Sequence, residues 1–173
     1  MSTKKVSIKE AKPDKLFYIT ANAVVYRKED GRCLLLKRSE HEKVHPGKWT
    51  TIGEKIEHQN LDLEKPSRIE GDVLVFENIV LDTLQRGAQE EAGITIQGEP
   101  KYLGAKIIIR PDGIPVMVLL YGVLYVSGEV QPQVGDFTDS VWVNATEIDQ
   151  YDCIQGIADE VKAAIDLLES VKE

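Results

Sequence analysis

Apolar residues thicken along positions 17–26, FYITANAVVY, until Val24, Val25 and Tyr26 stand together, the pattern of a strand running into a core. Glu29-Asp30-Gly31 then supplies turn chemistry and positions 33–38, CLLLKR, a second strand, so the pair predicts a hairpin. Positions 39–60 carry no period and read as polar and irregular, with a turn at Pro46-Gly47 and an isolated aromatic at Trp49. Positions 61–71 read as charged loop, and 72–76, DVLVF, as a short extra strand. Over 77–92 the spacing changes to four: Val80, Leu84 and Ala88 form one stripe with Leu81 alongside, and Gly93 supplies a stop. Two β-rich runs, 102–110 and 114–126, are joined by Arg110-Pro111-Asp112-Gly113, a strong turn signal. A short strand at 140–143 and a turn or short helix at 145–151 follow. The last element is an amphipathic helix over 157–171, where Ile157, Val161, Ile165, Leu168 and Val171 repeat at four and three. The order predicts an α/β fold in which helices pack against a mixed sheet.

With 173 residues the chain is long enough for a core without metal or disulfide staples, and no linker divides it, so residues 1–173 are expected to form one domain. Residues 1–16 are expected to be a flexible N-terminal segment. There are 21 Lys+Arg against 29 Asp+Glu, a net charge of −8, which argues against a general binder of duplex nucleic acid or of anionic membranes. The same charge is compatible with a small phosphorylated substrate, because a divalent cation can stand between carboxylates and phosphate oxygens. No run approaches the roughly 18 apolar residues of a membrane span. The lysine-rich start has no apolar run behind it and does not read as a secretory signal. Cys33 and Cys153 lack metal-ligand or CxxC spacing and are expected to be buried reduced thiols, which makes a cytoplasmic location the expectation. His41, His45 and His58 are expected to be exposed loop residues rather than ligands.

The chemistry concentrates in positions 86–94, RGAQEEAGI. Residues three and four apart share a helix face, so position 87 neighbours both Glu90 and Glu91, and Arg86 lies one turn before Glu90. Two adjacent carboxylates at a helix C-terminus face the negative end of the macrodipole, an unfavourable place unless a cation joins them. Hard oxygen donors of this kind suit Mg²⁺ or Mn²⁺. Taken alone, the same residues also read as a solvated Glu-Glu pair with an ordinary Arg86–Glu90 surface contact.

The segment resembles the second half of the Nudix box, G-x5-E-x7-R-E-U-x-E-E-x-G-U, with Arg86, Ala88, Glu90, Glu91, Gly93 and Ile94 in register. Positions 49–57, WTTIGEKIE, are similar to the family's W-x-x-P-G-G-x-U-E approach, and positions 34–38 to its L-L-x-x-R strand. Trp142 and Val143, followed by Glu147 and Ile148, are similar to its W-V-x-x-x-E-U ending. The resemblance covers nearly the whole chain and implies a Nudix-type α/β/α sandwich with a mixed sheet. It implies a Mg²⁺- or Mn²⁺-dependent hydrolase that cuts a diphosphate bond in a nucleoside diphosphate linked to another moiety: a nucleoside triphosphate, a nucleotide sugar or an ADP-ribose type. Glu90, Glu91 and the Gly53 carbonyl are the implied metal ligands, and Arg86 the residue that orients the glutamates. Arg38, Glu54 and Glu57 are the candidate substrate contacts. The expected partner is a small nucleotide, with no nucleic-acid duplex and no membrane; a homodimer stays open. Trp49 and Tyr102 could stack a base, but core or rim packing is the expected role of each.

Three box positions and the box length depart from the family pattern. The Glu that follows the box Arg in the family is Gly87 here, a residue that costs about 1 kcal/mol inside a helix relative to Ala, while the box glycine is Glu54 and the first-half Glu is Asn60. The register expects Arg at 68 where the matching Arg is 86, so 18 extra residues, 61–78, are inserted within the box. Glu77 lies on the wrong face of the helix to replace the missing carboxylate. That leaves Glu54, Glu57, His58, Asp136 and Asp139 as sources, with Asp139 taken as the catalytic candidate. The alternative function is a catalytically degenerate domain that binds nucleotides as a sensor or scaffold. The insertion is open to reading as a lid, a specificity loop or a dimer contact.

Overall fold

The computed structural model describes residues 5–170. Within them, β1 (Tyr18–Arg27), β2 (Arg32–Arg38), β3 (Trp49–Thr50), β4 (Ile52–Lys55), β5 (Arg68–Glu70) and β6 (Val73–Val75) precede helix α1 (Ile79–Ala92). Strands β7 (Thr95–Ile109), β8 (Pro115–Ser127) and β9 (Phe137–Val143) follow, and helix α2 (Ile157–Ser170) closes the order. Seven strands make one mixed sheet, and β5 and β6 pair separately.

β1 is the hub because it is apolar on both faces, as a strand covered on both sides must be. It runs parallel to β8, from Tyr18 opposite Val116 to Tyr26 opposite Leu124. Its other edge pairs with β2 at Tyr26–Arg27 and with β4 at Thr20–Ala23. The expected hairpin therefore exists for two residue pairs and then opens, and β2 goes on to pair with β3 and β9. Ala21, Ala23 and Val25 of β1, with Leu34, Leu36 and Ile52, pack against Leu84, Ala88 and Ala92 of α1. Val24 and Tyr26, with Cys33, Leu35 and Val143, pack against Val161, Ala164, Ile165 and Leu168 of α2. One helix covers each face, giving the α/β/α sandwich that the element order and the resemblance anticipate.

Four expectations are corrected in detail. The stretch 39–60 is not irregular throughout: it holds β3, β4 and a 3-10 turn at His58–Asn60. Strands of two and four residues have too few positions for an alternation, and partner strands specify them instead. β7 starts at Thr95 rather than 102, with register shifts beside Gln97 and Tyr102; Gly98 and Pro100 interrupt its pattern without ending its pairing. β9 likewise begins at Phe137 rather than 140. The strand expected at 72–76 finds its partner within the supposed loop, as β5 and β6 turn about Gly71 into a small hairpin with Ile69 and Val73 exposed. Of the N-terminal segment, residues 1–4 lie outside the described residues, as does Val171. Residues 5–16 are exposed and include a 3-10 turn at Pro13–Lys15. No helix among the described residues is long and apolar enough to cross a membrane.

Candidate active site

The site is built where the second half of α1 lies against β4. Gly93, at φ +67°, ends the helix, its N–H bonded to Gln89 O and the Ile94 N–H to Ala88 O. Side chains two apart on a strand share a face, so Ile52 and Glu54 both look toward the helix. Gly87 lies directly beneath them. A Cβ at 87 would stand 3.0 Å from Glu54 Cβ and 3.3 Å from Ile52 Cγ2, so the missing side chain is what lets helix and strand come this close.

Glu91, one turn further along the same face, is only 8% exposed. The Gly53 N–H donates to its Oε2 over a long 3.4 Å. Burial is the main reason that its carboxyl is pushed from 4.5 to about 8; the Gly53 N–H and the Arg38 charge oppose the shift, and the Glu54 and Asp136 charges add to it. Arg38 is held in place: its Nε donates to the Val44 carbonyl at 2.9 Å, and its guanidinium pairs with Glu42. Glu54 Oε1 accepts the Lys55 N–H at 2.8 Å and lies 3.8 Å from Arg86. Arg86 also donates to the Lys55 carbonyl at 3.1 Å, and Asn60, with its amide oxygen turned inward, accepts from the same guanidinium at 3.2 and 3.3 Å.

The structure thus gathers Gly53, Glu54, Arg38, Arg86 and Glu91. Glu90 is exposed, because the next residue on a helix is turned by about 100° and Glu91 takes the inward direction. At Gly53 the contact to Glu91 is made by the amide N–H rather than by the carbonyl. Glu57 is half-buried, accepts from Gln59 Nε2 at 2.7 Å, and shares a cavity of about 70 Å³ with Asn60, Asp82 and Arg86. Asp139 is exposed in β9 opposite Lys37, its Oδ1 accepting the Ser140 N–H. The loop acid whose charge reaches Glu91 is Asp136. Its loop is tied to the helix end by Gln131 N–H to Ala92 O and Gln133 N–H to Glu91 O, and to β2's exit by Ser39 N–H to Asp136 O. Asp136 is itself exposed, and the sequence signal for it was the acid pair ahead of Trp142, which does not say whose charge reaches Glu91.

Other candidates have structural explanations. Trp49 packs edge-on against Tyr151, centroids 5.2 Å apart, and Tyr102 against Tyr121 at 5.8 Å with 60% of its surface exposed. His41, His45 and His58 are exposed. Cys33 is buried, its thiol pushed up to about 12 by desolvation, and Cys153 is half-buried; both are free. A concavity of about 610 Å³ lies between the first turns of α1 and the bend of β7, lined in part by Leu81, Gln85 and Tyr121, and Glu54, Glu90 and Glu91 do not line it.

Among the described residues no three His, Cys, Asp or Glu side chains converge tightly enough to enclose an ion. Mg²⁺ does not require such a cage, since it is commonly held by one or two carboxylates, waters and substrate phosphates. A buried carboxyl with like charges beside it and a single long N–H bond fits that half-open donor set.

The NUDIX domain family model matches residues 17–164. The chain belongs to the NUDIX family. Among solved structures, the MutT protein from Methanosarcina mazei Go1 is 20% identical with a TM-score of 0.63, the match covering 92% of this chain and 100% of that one. The NUDIX domain of Shewanella oneidensis NrtR, solved with ADP ribose, is 18% identical with a TM-score of 0.65, covering 91% and 93%. A NUDIX-family hydrolase from Clostridium perfringens is 16% identical with a TM-score of 0.62, covering 87% and 97%. At these identities the likeness establishes the NUDIX fold. A comparison with curated proteins returned no match.

Proposed function

We propose that this NUDIX protein is a Mg²⁺- or Mn²⁺-dependent hydrolase that cleaves the diphosphate of a nucleoside diphosphate linked to another moiety. The observation that carries the reading is Glu91, a buried carboxyl at the α1–β4 contact that feels the charges of Glu54 and Asp136 and is offset only in part by the Gly53 N–H and Arg38. Burying such a group without a compensating charge is costly, and a cation relieves that cost. Glu91 and Glu90, with the Gly53 carbonyl, would hold the ion. When bound, it would supply Lewis-acid polarisation of a phosphoryl oxygen and lower the pKa of a water, so that loss of a proton makes that water a competent nucleophile. Arg86 works by position: anchored on the Lys55 carbonyl and next to Glu54, it keeps the exit of β4 on the helix. Arg38 contributes positive charge toward Glu91 while its own hydrogen bonds keep it in place.

A second reading, a domain that binds nucleotides without cutting them, is favoured by Gly87 and by the lack of a three-acid cluster among the described residues. One assay separates the two. Nucleoside triphosphates, nucleotide sugars and ADP ribose, the last because the similar NrtR domain was solved with it, are incubated with Mg²⁺, Mn²⁺ or EDTA, beside Glu91→Gln. Turnover that needs metal and disappears in the variant supports the hydrolase. Silence across the panel, with a nucleotide raising the melting temperature, supports the binding domain.

A further inference from the structure

Two of the departures from the box occupy one contact. Position 54, a glycine in the family pattern, is Glu, and position 87, a glutamate in that pattern, is Gly. They are 33 residues apart in sequence, yet the Cβ that Gly87 lacks would stand 3.0 Å from Glu54 Cβ. Helix and strand at this separation have room for one side chain, and the strand provides it. Glu54 leaves β4 across the face of α1 on which Gly87 and Glu91 lie one turn apart. Its neighbour Gly53 is already hydrogen-bonded to Glu91 Oε2. The carboxylate is oriented from one side only: Oε1 takes the Lys55 N–H and faces Arg86 at 3.8 Å, while Oε2 has no hydrogen bond among the described residues.

We propose that Glu54 and Gly87 are a reciprocal exchange, in which the acidic oxygen ligand that α1 lacks at 87 is delivered from β4 by Glu54. The inference rests on the metal-dependent reading above and deepens it. It adds an Oε2 donor from β4 to the carboxylates of Glu91 and Glu90 on α1, an open oxygen donor set of the kind that water and substrate phosphate complete for Mg²⁺. It also explains why an interior helix glycine stands here: any larger residue at 87 would displace the replacement ligand. A consequence is that Gly87→Glu alone is no repair, because two side chains would then share one space.

The test is binding of Mn²⁺ alone to the full chain, followed by electron paramagnetic resonance and by calorimetry, so that the readout does not depend on turnover. Glu54→Gln keeps the size of the side chain and an oxygen for the Lys55 N–H but loses the charge, and a merely structural Glu54 would tolerate it. We expect it to weaken Mn²⁺ by about tenfold or more, as loss of a charged ligand does. Gly87→Glu should also weaken it, and the double variant E54G/G87E, which moves the carboxylate back to the helix, should recover most of the wild-type affinity. Wild-type affinity in Glu54→Gln while Glu91→Gln loses the ion overturns the exchange and leaves the metal-dependent reading standing. Failure of the wild-type protein to take up Mn²⁺ overturns both. Should the double variant not fold, Glu54→Gln decides the matter by itself.

Discussion

Glu91→Gln should stabilise the metal-free protein while removing a proposed metal ligand. Folded, the Glu91 carboxyl releases its proton near pH 8, and unfolded near 4.5. Between those values the folded state binds one proton more than the unfolded state. The contribution of this site to stability is therefore full below pH 4.5, falls as pH rises to about 8, and is level beyond. Each pKa unit corresponds to about 1.4 kcal/mol, so the whole loss is at most about 5 kcal/mol, or roughly 10–20 °C in Tm for a chain of this size. Gln fills the same volume and keeps an oxygen for the Gly53 N–H, but it has no proton to lose. In urea denaturation with EDTA at pH 5, 7 and 8.5, the variant and the wild type should begin nearly equal and diverge with rising pH, the variant ending the more stable. Saturating Mg²⁺ should restore the wild type above pH 7, by about 2.7 kcal/mol at a hundred times Kd, and leave the variant unchanged. Parallel pH profiles for the two proteins would refute the reasoning, since they would mean that Glu91 already finds compensation in the empty site.

Gly87→Ala gains about 1 kcal/mol of helix propensity and loses about 1–3 kcal/mol to overpacking against Glu54 and Ile52. Thermal denaturation should show a net loss of about 1 kcal/mol, and a more stable variant would mean that α1 does not rest on β4 at this point. Asp136→Asn should shrink the pH dependence of the wild type, because the Asp136 charge helps to push Glu91 up. Asp139→Asn should leave that profile as it is, and the same urea series distinguishes the two. Leu84→Ala, at a fully buried position on the α1 face of the sheet, should cost about 2–5 kcal/mol in urea unfolding.

Local pattern was enough wherever an element is long and one face is decided by a few neighbours. The apolar run of β1, the four-residue spacing of α1 and α2, and the stop at Gly93 are properties of consecutive residues, and the structure keeps each of them. The box motif likewise located the acidic helix end and marked Gly87 as a departure. What consecutive residues could not determine is which side chain meets which. Glu90 and Glu91 are equivalent as letters, yet the turn of the helix buries one and exposes the other. Asp136 and Asp139 are both loop acids until backbone bonds to Glu91 and Ala92 draw the loop across the helix end. β3 and β4 have too few residues to declare themselves and exist because β1 and β2 offer free edges. Above all, the nearness of Glu54 to Gly87 spans an 18-residue insertion that folds aside as its own hairpin. Sequence spacing records the length of that excursion, and only the closure of strand onto helix brings Glu54 against the place where Gly87 has no side chain.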